Sequence, residues 1–180
     1  MKVPKSWKDI SINQYRRLIS IPEDASNESR ICQTISILTG ISTRAVLNLT
    51  PKQLKEINDS IGFVSQLPSP KLEERIKING IEFGILPNLN ALTIGEILDL
   101  EEYLSNWSES IHKLMAVIYR PIVKEDAFGY VVEDYDTQRS QSAAAWFDEQ
   151  CSIEDTYGAS IFFSIGVSNS WKFTKNFLTV

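Results

Sequence analysis

The spacing of apolar residues changes period along this chain, and that change restricts the fold more than any other feature. Up to Val64 the spacing is helical. Ile12, Tyr15, Leu18 and Ile19 form one face, Ile31, Ile35 and Leu38 a second, and Leu54, Ile57, Ile61 and Val64 a third. Between Arg75 and Leu86 the period drops to two. Ile76 and Ile78 alternate with Arg75, Lys77 and Asn79, and Ile81, Phe83 and Ile85 alternate after Gly80. Asn79-Gly80 at the reversal is the dipeptide of a type I′ turn, so the segment predicts a β-hairpin at about 75–86. Helical spacing then resumes. The expected class is mainly α (α+β), a compact multi-helix domain carrying a small hairpin. An isolated hairpin is marginal, so this one must lie on the helices or pair with a neighbouring chain.

Capping signals place the helix starts. Ser11 with Gln14, Thr50 with Gln53 and Thr93 with Glu96 each fit the S/T-x-x-E/Q box, and Pro51 follows Thr50 at the first helical position. Gly40 stops the second helix, and Leu67-Pro68-Ser69-Pro70 terminates the third. Two more helices are expected at about 93–105 and 108–120, the second carrying Ile111, Leu114, Met115 and Ile118 and closed by Pro121. Residues 124–135 read either as a loop or as a second short hairpin strand around Tyr130-Val131-Val132. Residues 138–150 and 153–166 read as helices, ahead of an aromatic stretch from Trp171 to Val180. A chain of 180 residues is expected to be a single domain, 1–180, with 68–71 as the place where it would subdivide.

Several functional classes are disfavoured. The net charge of −5 argues against phosphate-backbone binding, so no nucleic-acid partner is expected. No run of about 18 apolar residues occurs, so no membrane span is expected, and MKVPKSWKDI lacks the apolar core of a signal peptide. Cys32 and Cys151 are isolated, as reduced cytoplasmic thiols would be. Charge is divided unevenly. Residues 1–90 carry 12 basic and 9 acidic side chains, +3, and residues 91–180 carry 6 and 14, −8. Such a split fits either two differently solvated surfaces or a head-to-tail oligomer.

Candidate chemistry centres on few residues. Glu109-Ser-Ile-His112 has the Glu-x-x-His spacing of di-iron bundles, but those sites need two such motifs and His112 is the sole histidine. Glu96, Asp99 and Glu102 share one helix face, which suits a hard cation in principle and a solvated or partner-binding face more commonly. No Gly-x-Ser-x-Gly elbow, phosphate loop or zinc spacing is present. The expectation is therefore no catalytic residue, no metal ligand and no cofactor. A small metal-dependent enzyme using the Glu96/Asp99/Glu102 face, with or without His112, and a cytoplasmic adaptor for a host protein are the other readings.

Aromatic residues complete the set. Trp7, Trp107, Trp146 and Trp171 each stand beside polar residues, and such aromatics serve either as core or as interface anchors. Phe162 and Phe163 are expected in the core. The candidate partner-binding residues are Ile81, Phe83 and Ile85 on a strand with a free edge, Glu96, Asp99 and Glu102 on the acidic helix, and Trp171 and Phe173 near the end.

The order of blocks carries a resemblance. Trp7-Lys-Asp-Ile-Ser-Ile12 leads into a short helix, followed by Ser36-Ile-Leu-Thr-Gly40 and the hairpin. Leu92-Thr-Ile-Gly-Glu96 with Leu100-Glu101, Leu114-Met-Ala-Val-Ile-Tyr-Arg-Pro121 and Gly158-Ala-Ser-Ile-Phe-Phe163 come after it. This layout resembles small structural or assembly proteins of tailed bacteriophages, crAss-like phages in particular. The resemblance implies a non-enzymatic protein of the virion, assembled in the bacterial host cytoplasm. It would act by protein–protein contact at the portal vertex or neck, as an oligomer, with other phage structural proteins or copies of itself as partners. A tail assembly chaperone that leaves the finished particle is the alternative within the same group. No catalytic or binding residues carry over from it.

Overall fold

The computed structural model describes residues 2–88 and 91–164. Among the described residues the α-helices, in chain order, are α1 (Ile12–Ile19), α2 (Asn27–Thr39), α3 (Thr43–Val46), α4 (Pro51–Ile61), α5 (Ile94–Ser105), α6 (Trp107–Ile118) and α7 (Thr137–Gln150), and residues 153–164 form α8. Four strands, β1 (Arg75–Ile78), β2 (Ile81–Ile85), β3 (Tyr119–Asp126) and β4 (Gly129–Val132), make one antiparallel sheet in the order β1-β2-β3-β4. The α+β class is as the periods predict.

The three capping boxes all form. The Ser11, Thr50 and Thr93 side chains accept from the backbone N–H three residues on, and Gln14, Gln53 and Glu96 return the bond. Asn79 and Gly80 both take positive φ, 52° and 79°, as a type I′ turn demands.

The centre of the core is α6. Ile111 and Leu114 to Ile118 are buried together, enclosed by α5, α7, α1 and the sheet. On α7, Ala144 and Phe147 face inward, and the Phe147 ring meets Phe83 edge-on at 5.3 Å. One hydrophobic cluster runs from Trp7 to Phe163. The 68–71 segment lies within this packing. Pro68 is buried, Trp7 Nε1 donates to the Gln66 carbonyl at 2.9 Å, and the Pro70–Lys71 backbone crosses α8 directly at Gly158. Ile12 N donates to Cys151 O and Ile153 N to Ile10 O, tying the first helix to the last described one.

Two details differ from the sequence reading, at Pro121 and Phe162, and between them the hairpin-strand alternative for 124–135 is the one that forms. The sixth helix ends at Ile118, and Pro121 belongs to β3 rather than closing a helix. A proline fits there because its carbonyl alone is needed, accepting from Glu133 N at 2.9 Å. Residues 119–132 form a full hairpin, β3–β4, with a register break at Val123. That bulge bends β3 and lets β4 fold back over the first hairpin. The Tyr130 ring lies across Gly84, where a Cβ would come within 2.3 Å of it, and its hydroxyl donates to the Ile85 carbonyl at 2.9 Å. Arg75 clamps the fold-over, pairing with Glu125 at 2.6 Å and lying over the Tyr130 ring at 4.9 Å. Finally, Phe163 is core but Phe162 is exposed.

Candidate interaction site

The sheet and α7 enclose a groove of about 710 Å³. Its floor is Phe83, Tyr119 and Pro121, and its walls are Ile81 on β2 and Ala143 and Trp146 on α7. The wall position of Trp146 follows from helix geometry. Phe147 occupies the inward stripe, so the preceding residue is turned about 100° toward the edge, where Trp146 is 37% exposed. The rim comes from the segment between β4 and α7. Asp136 caps α7, accepting from Arg139 N at 2.8 Å, and Glu133 pairs with the Arg139 side chain. Asp134 and Asp136 are exposed and take part in no ion pair among the described residues, so the rim is acidic.

A second cavity, about 400 Å³, lies beyond residues 133–135 and is lined by Leu86, Leu92 and Val131. The wall between the two holds a buried ion pair. Arg120 Nη2 reaches Glu96 Oε1 at 2.6 Å, and Arg120 Nη1 donates to the Glu133 carbonyl at 3.1 Å. The Tyr135 hydroxyl donates to Asp99. Burial, and then this carboxylate, push the Tyr135 hydroxyl up to about 12, so it stays a donor across the physiological range.

Beside the cavities the β3–β4 hairpin presents apolar side chains to solvent. Phe128 at its tip is fully exposed (100%), and Val123 and Val131 are exposed on the two strands. The tip is shaped by Asp126, whose carboxylate accepts from Phe128 N at 2.8 Å. On α5, Ile94 and Leu98 are also exposed.

The predicted site residues are distributed as follows. Ile81 is exposed on the groove wall. Phe83 (1% exposed) and Ile85 are buried, and β2 has no free edge, because β1 and β3 pair on either side of it; the sheet edges are β1 and β4. Glu96 (3% exposed) is buried in its capping box and its pair with Arg120, and Asp99 binds Tyr135. Only Glu102 of the acidic face is exposed, so that face is not a continuous docking surface. Trp171 and Phe173 lie outside the described residues. The sequence reading missed Phe128, Val123 and the acidic rim; the Asp126-Ala-Phe-Gly129 turn was the available signal.

His112 is held in a polar junction of α1, α6 and α7. Asp148 accepts from Arg16 Nη1 at 2.9 Å and from Asn13 Nδ2 at 2.8 Å, with His112 Nδ1 3.9 Å away. Burial first, then the Arg16 guanidinium, lower the imidazole to about 4, against an opposing pull from Asp148. In the unfolded chain the group would titrate near 6.5. The unfolded state therefore binds the proton first as pH falls. Stability is expected to be full above about pH 6.5 and to decline toward pH 4, and His112→Gln should flatten that part of a denaturation-versus-pH curve. An unchanged curve would contradict the burial of this imidazole.

Cys151 is buried, which pushes its thiol up to about 12. Among the described residues no three His, Cys, Asp or Glu side chains are grouped as a metal ion would require. No helix among them is long and apolar enough to cross a membrane. Compared with protein-family models, curated proteins and solved structures, the chain matches none.

Proposed function

We propose that this chain is a non-enzymatic structural or assembly protein of a tailed bacteriophage. It acts by protein–protein contact at the portal vertex or neck, and its partners are copies of itself and other phage structural proteins in the virion. The observation that carries the reading is the groove with Ile81 and Trp146 in its walls, open among the described residues, with an acidic rim and an exposed apolar hairpin beside it. Apolar surface of this kind, rimmed by polar groups, is what protein interfaces use, and tryptophan is a frequent anchor of such contacts. The side chains that looked chemical in the sequence support it too, since His112, Glu96 and Asp99 are engaged in internal contacts. The biological setting comes from the sequence resemblance alone, the order of blocks being similar to that of small phage structural and assembly proteins.

The charge split supplies a direction. An acidic rim in the second half of the chain suits the +3 first half of a neighbouring copy, in a head-to-tail arrangement. Light scattering on the full chain is expected to give a multimer that dissociates as salt rises, because exposed charges are screened within about 8 Å at physiological ionic strength. Trp146→Glu should weaken association about tenfold or more while leaving the melting temperature nearly unchanged. A monomer at every concentration would overturn the self-association.

A further inference from the structure

We infer that the groove between the sheet and α7 receives the α3–α4 corner of a second copy of this chain, with Leu47 entering the groove and Arg44 facing Asp134. The inference rests on the contact reading above and names the two surfaces that meet. Charge complementarity carries it. Of the charged side chains that line the groove, Arg120 is bound to Glu96 and Arg139 to Glu133. That leaves Asp134 and Asp136, both exposed and both outside any ion pair among the described residues. The walls, Ile81, Ala143 and Trp146, are apolar. The surface that fits is therefore an exposed apolar side chain standing beside unpaired cations.

Leu47 has that setting. It is 74% exposed, and its helical φ of −64° and ψ of −18° at the end of α3 keep it on one face with Arg44, three residues earlier. Lys52 and Lys55 follow on the first two turns of α4. Residues 29–55 contain no acid, and Arg44, Lys52 and Lys55 are exposed and join no ion pair among the described residues. Other exposed apolar side chains are set differently. Ile19 shares its helix face with Arg16, which is bound to Asp148, and Leu67 precedes Lys71, which is bound to Glu73. Leu98 stands among the acids of α5, and Phe128 beside Asp126. Leu47 does not line its own groove, so the two surfaces are distinct patches of one molecule. A contact between them is head-to-tail, and repeated it closes into a ring or runs on as a filament.

A charge exchange in the full chain tests this, read by sedimentation at fixed salt. Arg44→Glu and Asp134→Lys each place like charges opposite one another and are expected to weaken association about tenfold. The chain carrying both substitutions reverses the two sides of the contact together and should regain most of that loss. Neither side chain has a hydrogen bond or ion pair among the described residues, so all three variants should melt with the wild type. Leu47→Ser should weaken association by a similar factor with no change in melting. Two single variants that associate as the wild type does overturn the inference, as they would if the chain's own terminal residues filled the groove. Singles that both weaken association without recovery in the double overturn it too, because Arg44 and Asp134 then act at different places. In either case a wild-type multimer leaves the association reading standing. A wild-type chain that is monomeric at every concentration removes both.

Discussion

Gly158→Ala is expected to destabilise the protein by about 3 kcal/mol, near the top of the range for overpacking. The Pro70–Lys71 backbone lies directly on α8 at this position. A Cβ on residue 158 would stand 2.0 Å from the Lys71 carbonyl oxygen, 2.4 Å from its carbon and 2.8 Å from the Pro70 oxygen. All three are backbone atoms, so no rotamer change relieves the clash; α8 or the segment must move. For a chain of this size such a loss lowers the melting temperature by roughly 6–12 °C. Gly62→Ala is the matched control. Its Cβ meets nothing within 4 Å and its φ of −55° suits any L-residue, so its effect should stay within about 1 kcal/mol. A Gly158→Ala protein melting with the wild type would show that 70–71 does not cross α8, and the segment would again be a candidate linker.

Arg120→Met is the second large effect, about 3–5 kcal/mol, because it strands a carboxylate. Glu96 is buried, and Arg120 supplies its only cation among the described residues. The remaining contacts, from the Thr93 N–H and hydroxyl at 2.6 Å each, stabilise the cap but do not neutralise the charge. Adding Glu96→Gln to Arg120→Met should recover much of the loss, since the amide oxygen still accepts at the cap and no charge is left buried. Denaturant unfolding of the two singles and the double measures the coupling. Additive losses would mean that the two side chains do not meet. The same pair forms the wall between the two cavities, so Arg120→Met should also weaken self-association by loosening residues 133–135.

Those two sites show what the sequence could and could not convey. The capping boxes were legible because a cap is settled within four residues. The first hairpin was legible because Asn79-Gly80 and the period of two are both local. The acidic face of α5 was legible only as spacing. What that spacing does depends on Arg120 and Tyr135, which lie 24 and 36 residues away and carry no local mark of the contact. The β3–β4 hairpin was half-hidden because Lys124-Glu-Asp126 is polar and Pro121 resembles a helix stop. Its pairing relies on a bulge at Val123, on a proline whose carbonyl alone is used, and on Gly84 leaving room for Tyr130. The tryptophans were equivalent in sequence, yet Trp7 is buried and Trp146 stands in the groove wall. The difference is set by which neighbour, Phe147 in the second case, takes the inward face of the helix.

The central claim is that this chain is a phage component working through contact. Mass spectrometry of purified, intact phage particles tests it most directly. The account predicts that the chain is present in the particles and, after chemical cross-linking, is joined to portal or neck proteins or to copies of itself. Its absence from the particles, together with a monomeric protein that joins no phage partner, would contradict the account.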